Sequence, residues 1–104
     1  MVNIYILELE GGKYYVGKTN HTFKRFRQHV DGDGAKWTQK YSPKDVYGFH
    51  KDMKDIDEKK ITIQMMKEFG VENVRGGPWT KVNMTTREKL NLSNRIKRNT
   101  TVRR

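Results

Sequence analysis

The stretch Val2-Asn3-Ile4-Tyr5-Ile6-Leu7-Glu8-Leu9-Glu10-Gly11-Gly12-Lys13-Tyr14-Tyr15-Val16-Gly17-Lys18 decides the fold. Residues 2–9 are β-branched and apolar on both faces, the composition of a central strand covered on both sides. Gly11-Gly12 make a hairpin turn, and Lys13 to Lys18 form the partner strand. Working outward, Thr19-Asn20-His21-Thr22 break the alternation and can cap a helix. Phe23, Phe26 and Val30 then recur at i, i+3 and i+7, the period of a helix with one buried face.

Asp31-Gly32-Asp33-Gly34 close that helix in a loop, and Ala35 to Tyr41 form a short segment that interleaves cations and aromatics. After Ser42-Pro43, residues 45–50 read as a third strand. Residues 53–69 carry the longest helical pattern, with Ile61, Met65 and Phe69 in one stripe, Ile56, Ile63 and Met66 beside it, and Gly70 as its stop. Residues 71–82 read as a loop around Arg75-Gly76-Gly77-Pro78-Trp79. Thr85 and Glu88 fit a capping box for a last helix that runs to about Arg98 with Leu92 and Ile96 inward. The order ββαβα with a final helix predicts a small α/β layer structure, a three-stranded antiparallel sheet flanked by helices. Two segments are expected: a domain over residues 1–83, and a basic C-terminal helix or tail over 84–104 that packs on it or extends from it.

With 104 residues and 34% hydrophobic content, the chain has material for one modest core. No apolar run approaches the ~20 residues of a membrane helix, and Met1-Val2-Asn3 lacks the features of a signal peptide. Cysteine is absent, which excludes disulfides and thiolate metal sites. These features read as an intracellular protein without a membrane partner, a monomer or weak homodimer. The net charge is +10 and the pI about 9.9, in the range of nucleic-acid-binding domains. Residues 84–104 hold seven basic side chains and one acidic. Arg87, Lys89, Arg95, Lys97, Arg98, Arg103 and Arg104 therefore read as phosphate contacts, which supply affinity without sequence choice; a solvated basic tail is the plain alternative. Lys36, Trp37, Lys40 and Tyr41 suit contact with a nucleic-acid backbone or an unstacked base. Trp37 is equally suited to the core.

The order Asn3-Ile4-Tyr5, then Tyr15-Val16-Gly17, Lys18-Thr19, Arg25-Phe26 and Gln28-His29 resembles the GIY-YIG nuclease family, with a minimal single-domain member as the pattern. The likeness continues through Gly34-Ala35-Lys36-Trp37-Thr38 and Tyr41-Ser42-Pro43, and covers roughly residues 3–83. Asn3 stands where the motif usually has glycine, and Val16 replaces isoleucine. The resemblance implies a DNA endonuclease that uses Mg²⁺ or Mn²⁺ to hydrolyse phosphodiester bonds, nicking one strand per active site. Alternatives are a nuclease selective for flaps or branches, a non-catalytic DNA-binding module of the same fold, and an RNA-binding protein.

Taken alone, Tyr5 and Tyr15 are ordinary strand aromatics; the resemblance makes Tyr15 the general base and Tyr5 its orienting partner. A phenol titrates near ~10, so Tyr15 needs cationic help, for which Lys18 and Arg25 are candidates. Arg25 and His29, four apart, share a helix face. Arg25 suits a bidentate grip on phosphate and His29 a proton shuttle. The resemblance places the metal ligand at Glu58, with Asp55, Asp57 and Glu68 as rivals; one carboxylate with several waters is how Mg²⁺ is often held. Asn73 or Asn83 is a further candidate near metal or phosphate. Arg75-Gly76-Gly77 either brings backbone amides to a phosphate or makes a tight turn. The DNA contacts are then Lys18, Lys36, Trp37, Lys40, Arg75, Arg87, Arg95, Lys97 and Arg98.

This site makes a geometric demand on the opening hairpin. A two-residue turn at Gly11-Gly12 would put Leu9 opposite Tyr14, with Tyr5 and Tyr15 on opposite faces. A three-residue loop, Glu10-Gly11-Gly12, with a glycine at positive φ, pairs Leu7 with Tyr15 and Tyr5 with Gly17. Both tyrosines then share one face.

Overall fold

The computed structural model describes residues 1–20, 24, 25, 27, 28 and 34–101, the last four as backbone only. Strand β1 (Val2–Leu9) pairs antiparallel with β2 (Lys13–Thr19). Leu9 lies opposite Lys13, Leu7 opposite Tyr15 and Tyr5 opposite Gly17. The loop is therefore Glu10-Gly11-Gly12, with Gly11 at φ 77° and Gly12 at φ 74°. Two consecutive left-handed residues are accessible at little cost only because neither carries a Cβ. The three-residue register holds, and the two tyrosines share a face.

On the other side of β1 runs β3 (Pro43–Met53), antiparallel, with register slips between Val2 and Ile4, Ile6 and Leu7, and Glu8 and Leu9. It is longer than the 45–50 expected. Asn3 lies at one of these slips, and its carboxamide oxygen accepts a hydrogen bond from the Asp52 backbone N–H at 3.3 Å. A fourth strand, β4 (Val74–Gly76), runs parallel to β2, giving the order β3-β1-β2-β4. The sheet is thus four-stranded and mixed, not three-stranded and antiparallel. Three residues are too short for a period-2 signal, and Gly76-Gly77-Pro78 disguises them as a loop. All three are nevertheless buried.

Alternation along β1 feeds two cores, as the two apolar faces of residues 2–9 predict. The even residues Ile4 and Ile6, with Val16 and Val74, pack under Met65 and Met66 of α2 (Asp55–Phe69) and Leu92 and Ile96 of α3 (Thr86–Thr101). The odd residues Tyr5, Leu7 and Leu9, with Tyr15, pack under Trp37 of α1 (Lys36–Lys40). Full burial of each such aliphatic side chain stabilises by ~1.5–3 kcal/mol. Helix α2 stops at Gly70 as expected, with φ 99° and its N–H donating to the Met66 carbonyl. Its buried stripe is Thr62, Met65 and Met66; Ile61 and Phe69 are partly buried and Ile56 is exposed. Thr85 and Glu88 close the expected capping box at α3: the Thr85 N–H donates to Glu88 Oε1 at 2.8 Å, and the Glu88 N–H to Thr85 Oγ1 at 3.1 Å.

Lys24, Arg25, Arg27 and Gln28 are helical. The expected stripe Phe23, Phe26 and Val30, and the site residue His29, lie outside the described residues. Among the described residues no helix is long and apolar enough to cross a membrane.

Candidate active site

The odd face of the hairpin brings Tyr5 and Tyr15 together, their rings 6.3 Å apart between centroids and inclined at 45°. The rings reach past a bare backbone position: a Cβ on Gly17 would overlap the Tyr5 hydroxyl and ring. Both tyrosines are buried, and Arg25 hydrogen-bonds to both phenols from the helical residues beyond β2. Its guanidinium also donates to Gln28 Oε1 at 3.0 Å, which orients the fork.

Burial pushes both phenols above the ordinary tyrosine range. For Tyr5 the Tyr15 ring adds to the effect and Arg25 opposes it. For Tyr15 burial again comes first, Arg25 pulls the other way, and the Glu58 carboxylate raises it further. Arg25 itself is opposed by burial, yet its bonds and charges with Tyr5 and Tyr15 raise it on balance. The two phenols are therefore neutral at physiological pH, and Arg25 is a positive charge set between them.

Glu58 enters from the first turns of α2. Its side chain is only 16% exposed, against 75% for Asp55. Burial raises its carboxyl above the usual carboxylate range; Lys18 lowers it and Asp55 raises it. Lys18 Nζ lies 3.9 Å from Glu58 Oε1 and 3.5 Å from Asp55 Oδ1. As an even residue of β2, Lys18 points to the α2 face, away from Tyr15. It balances carboxylates and is not the cationic help for Tyr15 that the sequence suggested; Arg25 alone of the two has that place. The rival acids are otherwise occupied or distant. Asp57 Oδ2 accepts from the Lys54 N–H at 2.9 Å at the helix start, and Glu68 sits at the far end of α2.

Among the described residues no group of three or more His, Cys, Asp or Glu side chains converges. The donor set is one half-buried carboxylate with a second carboxylate beside it. It fits a hard cation that keeps most of its waters, as Mg²⁺ does. Added positive charge there would offset both the burial and the repulsion that raise Glu58.

The helix turn that carries Glu58 packs closely against the Gly76-Gly77 segment. Thr62 Oγ1 donates to the Glu58 carbonyl at 2.7 Å, and a Cβ on Gly76 would stand 2.9 Å from that Oγ1 and overlap Val16. A Cβ on Gly77, at φ 54°, would lie 3.5 Å from the Lys59 Cα. The two glycines thus let β4 approach α2 closely, beside the helix turn that carries Glu58. Of the two alternatives read from the sequence, the tight turn is the one found: the Gly76 N–H donates to the Trp79 carbonyl at 3.0 Å and the Trp79 N–H to the Gly76 carbonyl at 2.9 Å, and the glycines also permit the close approach to the helix.

Three expected contacts need correction. Trp37 is 2% exposed, its indole N–H donates to the Tyr14 carbonyl at 2.9 Å, and it belongs to the core. Arg75 is also 2% exposed. Its guanidinium donates to the carbonyls of Lys81 (2.6 Å), Val71 (2.7 Å), Val74 (2.8 Å) and Val82 (3.2 Å) and lies 4.3 Å from the Trp37 ring. A phosphate cannot be gripped by donors committed in this way. Asn73 binds the Phe69 carbonyl and accepts from Lys13 Nζ at 2.8 Å, a structural role at the end of α2. Lys36, Lys40, Arg87 and Lys97 are exposed cations, and Asn83 is exposed in the loop before α3. Arg95 stacks 5.7 Å from the Trp79 ring. The side chain of Arg98 lies outside the described residues.

A family model described as GIY-YIG catalytic domain matches residues 1–73. A UPF0213 protein of Cupriavidus pinatubonensis is 44% identical over 45 residues, 43% of this chain and 50% of that protein. A UPF0213 protein of Bacillus cereus is 46% identical over 39 residues, 38% and 41% of the two chains. One of Halobacterium salinarum is 40% identical over 43 residues, 41% and 56%. The matched segment spans about half the length of these relatives, and their names state no activity. No solved structure matches the chain significantly.

Proposed function

We propose, since the chain belongs to the GIY-YIG family, whose catalytic-domain model matches residues 1–73, that its nuclease-type hydrolase site is a divalent-metal-dependent DNA endonuclease. The observation that carries this reading is the convergence of Tyr5, Tyr15 and Arg25 on one face of the hairpin, with Glu58 brought to its edge. Arg25 suits the scissile phosphate, where its positive charge opposes the charge that grows as water attacks. Tyr15 accepts the proton of that water once it has lost its own and stands as the phenolate, and Tyr5 fixes the orientation of Tyr15 and Arg25 through its hydroxyl. His29, four residues beyond Arg25, takes the role of proton shuttle. Glu58 would hold Mg²⁺ or Mn²⁺, which would supply charge stabilisation at the leaving oxygen. The water oxygen forms a bond to phosphorus, and the bond to the 3′ oxygen breaks. One such site cuts one strand, so nicking is the expected product. The basic surface, net +10, supports a polyanionic substrate.

The test is incubation of supercoiled plasmid with the full chain and Mg²⁺, with and without EDTA. Conversion to open circles is expected with wild type and Mg²⁺ only. No nicking by wild type, or equal nicking by Glu58→Ala, removes the proposal; binding with a steep salt dependence but no cleavage on any substrate would favour a non-catalytic module.

A further inference from the structure

Beyond the tyrosine site, the same face of the sheet carries a second cationic concavity. It is a cavity of about 180 Å³ whose walls include Lys13, Lys40, Tyr41, Arg75 and Lys89, with Glu72 as the only carboxylate lining it. Lys13 and Lys40 converge on one ring, their ammonium groups 5.3 and 5.4 Å from the Tyr41 centroid. Lys13 is further held by Asn73 Oδ1 at 2.8 Å. Lys89 lies 3.4 Å from Glu72, whose side chain is 74% exposed. Arg75 lies beneath, and its four hydrogen bonds all go to backbone carbonyls. Among the described residues no carboxylate forms an ion pair with it. A buried cation bonded only to neutral acceptors leaves its charge to project into the cavity. Low-dielectric walls focus such a field. Four cations facing one acid in a concavity make a site for an anion.

Its place on the fold says which anion. Lys13, Tyr15 and Gly17 alternate onto one face of β2, and Gly17 lies under Tyr5. Four residues of strand put Lys13 ~13 Å from the Gly17 end of the site. Along the axis of a duplex the phosphates of one strand advance ~3.4 Å per nucleotide, and winding around the axis adds to their separation, so this span corresponds to about two to four nucleotides. We propose that the pocket formed by Lys13, Lys40, Lys89 and Tyr41 over the buried Arg75 grips a backbone phosphate of the DNA strand being cut, about two to four nucleotides from the scissile bond. The proposal rests on the nuclease reading. It makes the pocket an anchor that sets the position of the strand without reading its sequence.

The experiment measures binding of the full chain, in EDTA, to a duplex carrying one neutral methylphosphonate at successive positions. For wild type, neutralising one phosphate about two to four nucleotides from the mapped nick weakens binding about tenfold. The triple variant Lys13→Ala, Lys40→Ala, Lys89→Ala binds unmodified duplex about tenfold more weakly. Its salt slope falls by about one, and it becomes indifferent to the substitution at that position. These lysines are at least partly exposed, so a circular-dichroism melt close to wild type is expected and separates loss of contact from loss of fold. A triple variant that binds like wild type, with the same position profile, overturns the pocket; plasmid nicking by wild type and by Glu58→Ala decides the nuclease reading separately. In a second arm, inorganic phosphate is titrated against the complex. Loss of the position effect at phosphate concentrations that leave overall DNA binding intact would assign the pocket to a free anion and overturn the strand assignment.

Discussion

Tyr5 lies in the space that a side chain on Gly17 would occupy: the two residues are opposite one another in the β1–β2 ladder, and an added Cβ would overlap the Tyr5 hydroxyl and ring. The glycine is needed for what passes over it, since Arg25 reaches both phenols only where they lie together. Gly17→Ala is therefore expected to push Tyr5 aside. Overpacking of this kind costs ~1–3 kcal/mol. A displacement of ~1 Å in a reacting constellation lowers rate by about 100-fold. Thermal denaturation and single-turnover nicking read the two effects. Full activity in Gly17→Ala would mean that the Tyr5 hydroxyl has no part in the reaction.

Alkaline pH gives an independent handle on the tyrosine pair. Burial raises both phenols above their unfolded value, so between the unfolded and folded values the native chain holds protons that the unfolded chain has released. Stability is then fully present below ~10 and falls as pH rises beyond it, by up to ~1.4 kcal/mol per pH unit for each proton retained. Melting temperature measured from pH 8 to 11 should fall more steeply in wild type than in Tyr5→Phe or Tyr15→Phe. Nicking should rise with pH from 7 to 9, since the neutral Tyr15 must lose its proton to act as base. A flat pH–rate profile would move the base to another group.

How far the site was legible in the sequence depends on which forces place each residue. The hairpin register followed from the period-2 rule plus one constraint, that two tyrosines share a face; local backbone chemistry at Gly11 and Gly12 is sufficient to set it. Glu58 was named because the resemblance places a single glutamate early in that helix; the residues alone left Asp55, Asp57 and Glu68 as rivals. Strand β4 was hidden because its stability comes from tertiary pairing with β2 and close contact with Thr62, neither of which three residues can announce. Trp37 and Arg75 were misplaced for a related reason. A tryptophan between lysines looks like a nucleic-acid contact, and an arginine beside two glycines looks like a phosphate grip. In the fold each completes the other, the guanidinium on the indole, with backbone carbonyls accepting its N–H groups. Buried Arg is rare enough that composition points to the surface.

Glu58 should reveal its metal through stability as well as rate. Burial raises its carboxyl, so between its unfolded and folded values the native state holds the extra proton, and the stability this represents is lost as pH rises through the folded value. Above that folded value the metal-free protein carries an ionised carboxylate whose burial is destabilising. Glu58→Gln is expected to melt at or above the wild-type temperature without metal. Mg²⁺ should raise the wild-type melting temperature and leave Glu58→Gln unchanged. Nicking by Glu58→Gln should fall at least ~100-fold, the scale of losing one charge-stabilising element. Equal Mg²⁺ stabilisation of both proteins would place the metal elsewhere.

Arg75 offers the sharpest separation between holding a fold and holding a substrate. Its guanidinium ties the carbonyl groups of Val71 and Val74, beside and within β4, to those of Lys81 and Val82 in the loop before α3. Arg75→Met keeps the stem against Trp37 but leaves these acceptors without their donor. Each carbonyl that stays buried and unsatisfied costs ~1–3 kcal/mol, so a loss of at least ~3 kcal/mol is expected. That is more than ten degrees of melting temperature for a domain of this size. Urea denaturation gives the free energy directly. DNA affinity, measured where the variant remains folded, should fall far less than in the triple lysine variant, because Arg75 touches no phosphate. The reverse pattern, an unchanged melt with a large loss of affinity, would restore Arg75 to the nucleic-acid interface.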